Sequence, residues 1–142
     1  LTAGHYGSWT YFQSIDTPAN RRFVREFKKR YGAERVTDDP IEAAYFGVYV
    51  WKQAVEKAGS IEVDKVRAAV YNQKFLAPGG EIMMDCCNQH THKPVLIGEI
   101  LKNGQLKTIW RSKGLVKPEP WSEYTNPEKG CDWIQHQGTY QK

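Results

Sequence analysis

The chain has 142 residues, 40% hydrophobic and 25% charged, which is the balance of one folded domain with a real core and excludes a disordered chain. The formal charge is +4. The basic residues are dispersed, and the one dense run, Arg21-Arg22 to Lys28-Lys29-Arg30, alternates with apolar residues on a predicted helix, so it reads as a solvated face and no nucleic-acid partner is expected.

No stretch nears the roughly 18 consecutive apolar residues of a membrane span, so the chain is expected not to span a membrane. Five Trp and eight Tyr supply much ring surface, which suits a ligand site but is read here as core because rings carry so much burial area. The chain starts at Leu1 with no charged-then-apolar leader, and it reads as a piece of something longer.

The first thirteen residues are rich in glycine and aromatics, with a strand-like run around Trp9 to Phe12. Thr17-Pro18 then supplies an N-cap and a proline at the first helical position. Phe23, Phe27 and Tyr31 recur four apart on one face, and Gly32 stops the helix.

The second helix is the best marked. Asp39 reads as its N-cap, Pro40 as its first residue and Glu42 as the capping-box partner. Ile41, Ala44, Tyr45, Val48, Tyr49, Val55 and Ala58 recur at helical spacing, and Gly59 is the stop. With few polar residues before Lys52, this helix is expected to be largely buried. A third helix is expected from about Val63 to Tyr71, with Val66, Ala69 and Val70 inward.

After Phe75 the pattern turns to strands. Ala77-Pro78-Gly79-Gly80 reads as a turn and Glu81 to Asp85 as a strand. Val95 to Leu101 and Leu106 to Trp110 are two strands around Asn103-Gly104, a hairpin signal whose two turn residues are both expected at positive φ. From Lys117 onward Pro118, Pro120, Pro127 and polar residues indicate an extended tail over a surface. The chain thus divides into a helical segment at 1–75, a β segment at 76–116 and a tail at 117–142. Helices followed by a few strands do not complete a sheet, so a partner segment is inferred.

Candidate chemistry is sparse. Cys86, Cys87, His90 and His92 offer soft ligands for zinc, with Cys131 and His136 as distant complements, although structural sites usually present ligands as two separated pairs. Loop residues between strands are the plainer reading, and no metal or cofactor is expected. Adjacent cysteines bridge poorly, so no disulfide framework is expected. There is no nucleophile elbow, P-loop or dinucleotide fingerprint, and the chain is read as no enzyme. Thr37-Asp38-Asp39-Pro40 is the most suggestive run. Asp39 is read as a cap, yet a helix start at a cleft also holds polar ligands, and Asp38 would be free to accept N–H bonds from an amide or urea.

Several strings resemble one family. They are Tyr11-Phe-Gln-Ser-Ile-Asp-Thr-Pro18, Asp39-Pro-Ile-Glu-Ala-Ala-Tyr45, Trp51-Lys-Gln-Ala-Val-Glu-Lys-Ala-Gly59, Asn88-Gln-His-Thr91, Ile97-Gly-Glu99 and Gly130-Cys-Asp-Trp133. Together they are similar to the amide- and urea-binding branch of the Leu/Ile/Val-type periplasmic-binding proteins, and Thr37-Asp-Asp-Pro40 with the tail Pro118-Glu-Pro-Trp121 through Cys131-Asp-Trp133 looks more like the urea-transporter binding subunits than the cytoplasmic amide-sensing regulators. The resemblance implies an α/β chain forming the C-terminal part of a bilobed type I periplasmic-binding-protein fold. The helices would complete the first lobe, with a hinge crossing near the start, and the strands would close the second. It implies a periplasmic subunit that captures urea or a short amide, a small neutral ligand, and delivers it to an ABC permease. Asp38, Asp39 and Pro40 are the residues it places at the pocket. A cytoplasmic amide-sensing regulator of the same fold, or a small zinc-stabilised interaction module, are the alternatives. Cys86 and Cys87 depart from the family, which usually has no cysteine there.

Overall fold

The computed structural model describes residues 2–119 and Tyr124. The expected tail beyond Glu119, with Cys131 and His136, lies outside these residues apart from Tyr124.

Three helices follow the local signals closely. Helix α1 spans Pro18–Tyr31, and the Thr17 hydroxyl accepts the Asn20 amide at 3.0 Å. Helix α2 spans Asp39–Ala58 and ends on Gly59 at φ 60°, the left-handed position that glycine takes without a Cβ penalty. Helix α3 spans Val63–Val70.

Among the described residues the strands form two three-stranded antiparallel sheets. Numbered in chain order they are β1 (Tyr6–Trp9), β2 (Lys74–Ala77), β3 (Gly80–Met84), β4 (Thr91–His92), β5 (Leu96–Ile100) and β6 (Leu106–Arg111). One sheet has the order β1-β5-β6 and the other β2-β3-β4. The N-terminal strand therefore pairs with one about ninety residues later, Tyr6 facing Glu99 and Trp9 facing Leu96. Strand β1 lies earlier than the run expected around Trp9 to Phe12, because Tyr11 and Phe12 leave the sheet and turn into the core, at 1% and 4% exposure. Strand β2 begins at Lys74, ahead of the expected change after Phe75.

The β5–β6 hairpin is present, but its turn differs from expectation. Gly104 alone takes positive φ, at 79°, while the Leu101 and Gln105 backbones close a longer loop at 2.8 Å. One left-handed residue suffices there, so Asn103 need not adopt that conformation.

Among the described residues the buried apolar side chains form three small clusters. Tyr11, Phe12, Ile15, Phe23 and Leu96 join α1 to the first sheet. Phe46, Val50, Ala77 and Ile82 join α2 to the second. Ala54, Val66 and Ala69 join α2 to α3. Helix α2 is correspondingly less buried than expected. Its inward stripe is Glu42, Phe46, Val50 and Ala54, spaced four apart, while Tyr45, Val48, Tyr49 and Trp51 are exposed. A helix apolar on several faces satisfies only the faces that have something to pack against.

Candidate functional site

The N-terminal turn of α2 collects the polar groups that the sequence singled out. Asp38 is the N-cap, its Oδ1 accepting the Ile41 amide at 2.9 Å from an extended backbone. The expected roles of the two aspartates are therefore exchanged. Asp39 is the first helical residue, and its carboxylate is engaged elsewhere, because only the preceding residue has the extended backbone that turns a side chain back onto the helix start. Pro40 is exposed in the first turn, where the absent N–H costs nothing.

Nor does Glu42 close a capping box. It is buried, its Oε1 accepting the Gly79 amide at 2.9 Å and its Oε2 accepting from Lys93 Nζ at 2.8 Å. Lys93 also donates to Asp39 Oδ1 at 2.9 Å, and the same oxygen accepts from the Thr10 hydroxyl. The ammonium lies 5.1 Å from the centre of the Phe46 ring, which adds a cation–π contact. One lysine thus bridges two carboxylates and ties the start of α2 to the end of β1, the β2–β3 turn and the β4–β5 connection. Buried charges persist only when paired and hydrogen-bonded, and each of these is.

A second polar network lies beside it. The Asn20 amide nitrogen donates to the carbonyls of Gln13 and Ile15 at 2.8 and 2.7 Å, which leaves its oxygen to accept the Tyr11 hydroxyl at 2.8 Å. With its proton so used, Tyr11 accepts from Thr37 Oγ1, also at 2.8 Å. Burial pushes the Tyr11 phenol up to about 12, since its ionised form would be desolvated. Sequence reading missed Tyr11, Asn20, Glu42 and Lys93 as partners. The available signal was Lys93, a cation between His92 and the buried Pro94 at the entry to an apolar strand.

The expected zinc ligands take another arrangement. Cys86 and Cys87 are joined by a disulfide, contrary to expectation. Both are exposed, between β3 and β4. His92 Nε2 lies 2.8 Å from Oδ2 of the buried Asp85, and Asp85 Oδ1 accepts the Cys87 amide at 2.9 Å. The His92 hydrogen bond, and then the Cys87 amide, hold the Asp85 carboxyl below the usual carboxylate range. His90 is exposed and meets Asp85 through its backbone carbonyl, which accepts the Asp85 amide at 2.8 Å.

A groove of about 280 Å³ between α1 and α2 is lined by Phe23, Phe27, Tyr31, Tyr45, Tyr49 and Arg22, among others.

Residues 1–127 match the model of a periplasmic binding protein domain. Over 118 residues the chain is 35% identical to a limonene hydroxylase of Geobacillus stearothermophilus, covering 83% of the chain and 22% of that protein. It is 29% identical to Leu/Ile/Val-binding protein homolog 6 of Brucella abortus (strain 2308), covering 72% of the chain and 25% of that protein. A solved solute binding protein of an ABC transporter from Rhodopseudomonas palustris HaA2, in complex with p-hydroxybenzoic acid, superposes with a TM-score of 0.69 at 28% identity, over 81% of the chain and 32% of that protein. The chain spans about a quarter of the curated relatives it matches and about a third of the solved one.

Proposed function

Because this mixed α/β chain belongs to the periplasmic-binding-protein family, we infer that the protein is the solute-binding subunit of an ABC importer. It is an extracytoplasmic two-lobed clamp that captures a small solute and presents it to a membrane permease. The observation that carries this reading is the family match over residues 1–127. In this reading residues 1–75 serve the first lobe and 76–116 the second, although the β1-β5-β6 sheet draws strands from both segments. The described residues contain no helix long and apolar enough to cross a membrane. No catalytic role is proposed. The hydroxylase name belongs to a protein of which this match covers 22%.

The proposed solute is urea or a short amide, on the resemblance carried by Thr37-Asp38-Asp39-Pro40. Asp38 and Pro40 are exposed, and the cap uses only one oxygen of Asp38, which leaves a carboxylate oxygen for a ligand N–H. Such a ligand offers little apolar area, so affinity rests on hydrogen bonds made in a closed, desolvated cleft. Ligand adds contacts only in the closed form and so shifts the lobes toward it.

A second reading is a hydroxybenzoate binder, favoured by the 28% identity to the p-hydroxybenzoic acid complex. Calorimetry on the protein in its full natural length separates the two. Heat with urea or acetamide supports the first, and heat with p-hydroxybenzoate alone replaces it with the second. If leucine or no solute binds, both are wrong. A secretory signal in the gene distinguishes the importer subunit from a cytoplasmic amide-sensing regulator.

A further inference from the structure

We propose that the Asp85–Cys86–Cys87 turn is a redox-gated site for a thiophilic divalent metal ion, closed as the disulfide and opened when that bond is reduced. The proposal is independent of which solute the cleft holds.

In the oxidised form the two sulfurs and an Asp85 carboxylate oxygen all lie within 4.8 Å of one another, which gathers the three donors at one place for an ion to take once reduction frees the sulfurs from each other. Both cysteines are exposed, which gives a reductant and a metal direct access. Asp85 is the opposite. It is buried and held in place by His92 on one oxygen and by the Cys87 amide on the other. A carboxylate fixed in this way by a histidine and a backbone N–H is oriented before any ion arrives, which is the arrangement that tunes metal ligands in general.

In the oxidised form the sulfurs are bonded to each other and neither is a thiolate, so the donor set is incomplete. Reduction proceeds by thiol–disulfide exchange with a dithiol. The dithiol supplies two electrons and two protons and leaves as its own disulfide, while Cys86 and Cys87 become thiols. A divalent ion then displaces both thiol protons to solvent and takes two thiolates and one carboxylate, with water in the remaining position. Two thiolates with one carboxylate favour soft or borderline ions such as Cd²⁺ and Zn²⁺ over Mg²⁺ or Ca²⁺.

The test titrates Cd²⁺ into the protein in its full natural length, oxidised or phosphine-reduced and desalted without oxygen, and reads the ultraviolet thiolate-to-cadmium band. The expected result is one ion per chain in the reduced protein and none in the oxidised. Cys86→Ser and Cys87→Ser each remove the band while circular dichroism shows an unchanged fold, Cys131→Ser leaves it in place, and Asp85→Asn weakens the affinity by about tenfold or more. The proposal is overturned by equal binding in the oxidised protein or by no binding in the reduced one. A band that survives Cys86→Ser or requires Cys131 overturns it as well.

Discussion

Lys93 Nζ lies 2.8 Å from Glu42 Oε2, fifty-one residues away in sequence, and the Glu42 side chain has no exposure to solvent. With Asp39 on the same ammonium, this pair fastens the best-formed helix of the chain to three separate loops. Removing the cation leaves two neighbouring carboxylates without a counter-charge, held only by the Thr10 hydroxyl and the Gly79 amide. Lys93→Met is therefore expected to destabilise the protein by about 3–5 kcal/mol in denaturant unfolding. Glu42→Gln keeps the Gly79 contact and leaves Lys93 paired with Asp39, so its cost is expected to be clearly smaller. Equal costs for the two variants would mean that packing, and not charge, holds the joint.

Tyr11→Phe removes the hydrogen that Asn20 accepts and the oxygen that Thr37 meets, both in a buried network. The expected loss is about 1–3 kcal/mol. The phenol, raised to about 12, also makes stability depend on pH. Because the folded value lies above the unfolded one near 10, this stability is present below about pH 10 and lost as pH rises toward 12. In an ultraviolet titration a tyrosine component ionising near pH 12 is expected, and that component should vanish in Tyr11→Phe.

The exchanged roles of the two aspartates are testable directly. Asp38→Ala deletes the cap of α2 and is expected to cost about 1 kcal/mol, whereas Asp38→Asn keeps an acceptor and should cost little. If Asp39→Asn and Asp38→Asn prove equally harmless to stability, the contact of Asp39 with Lys93 contributes nothing measurable.

Two glycines should respond in opposite directions. A Cβ on Gly98 would stand 2.7 Å from Phe12 Cε2 and 3.0 Å from Leu106 Cβ, inside the core that joins β5 to α1. Gly98→Ala is expected to destabilise by about 1–3 kcal/mol through overpacking. Gly47 lies within α2 with nothing inside 4 Å of such a Cβ, so Gly47→Ala is expected to stabilise by about 0.5–1 kcal/mol. Thermal unfolding of both variants checks the pair.

Much of the local structure was legible because its causes sit within a few residues of each other. Thr17 caps a helix through Asn20, three positions on, and Gly59 ends one through its own left-handed backbone. The buried face of α2 was not legible. Several stripes of that helix are apolar, and which one is covered depends on where β2 and β3 lie. The candidate site was legible only as a place in the chain. Asp38 and Asp39 stood out by type, but their tasks turned on a one-residue difference in where the helix begins.

The amino-acid order by itself determined the three helices, the β5–β6 hairpin and, through strings spread along the chain, the family. Those outcomes depend on backbone preference, capping and side-chain period, which act over one to four residues. Tertiary structure alone decided that Lys93 neutralises Asp39 and Glu42, that Tyr11 joins Asn20 to Thr37, and that β1 pairs with β5. Each joins groups that no local rule relates, and the first two follow from a buried polar group's need for a partner, met by whichever segment the fold brings within hydrogen-bond reach.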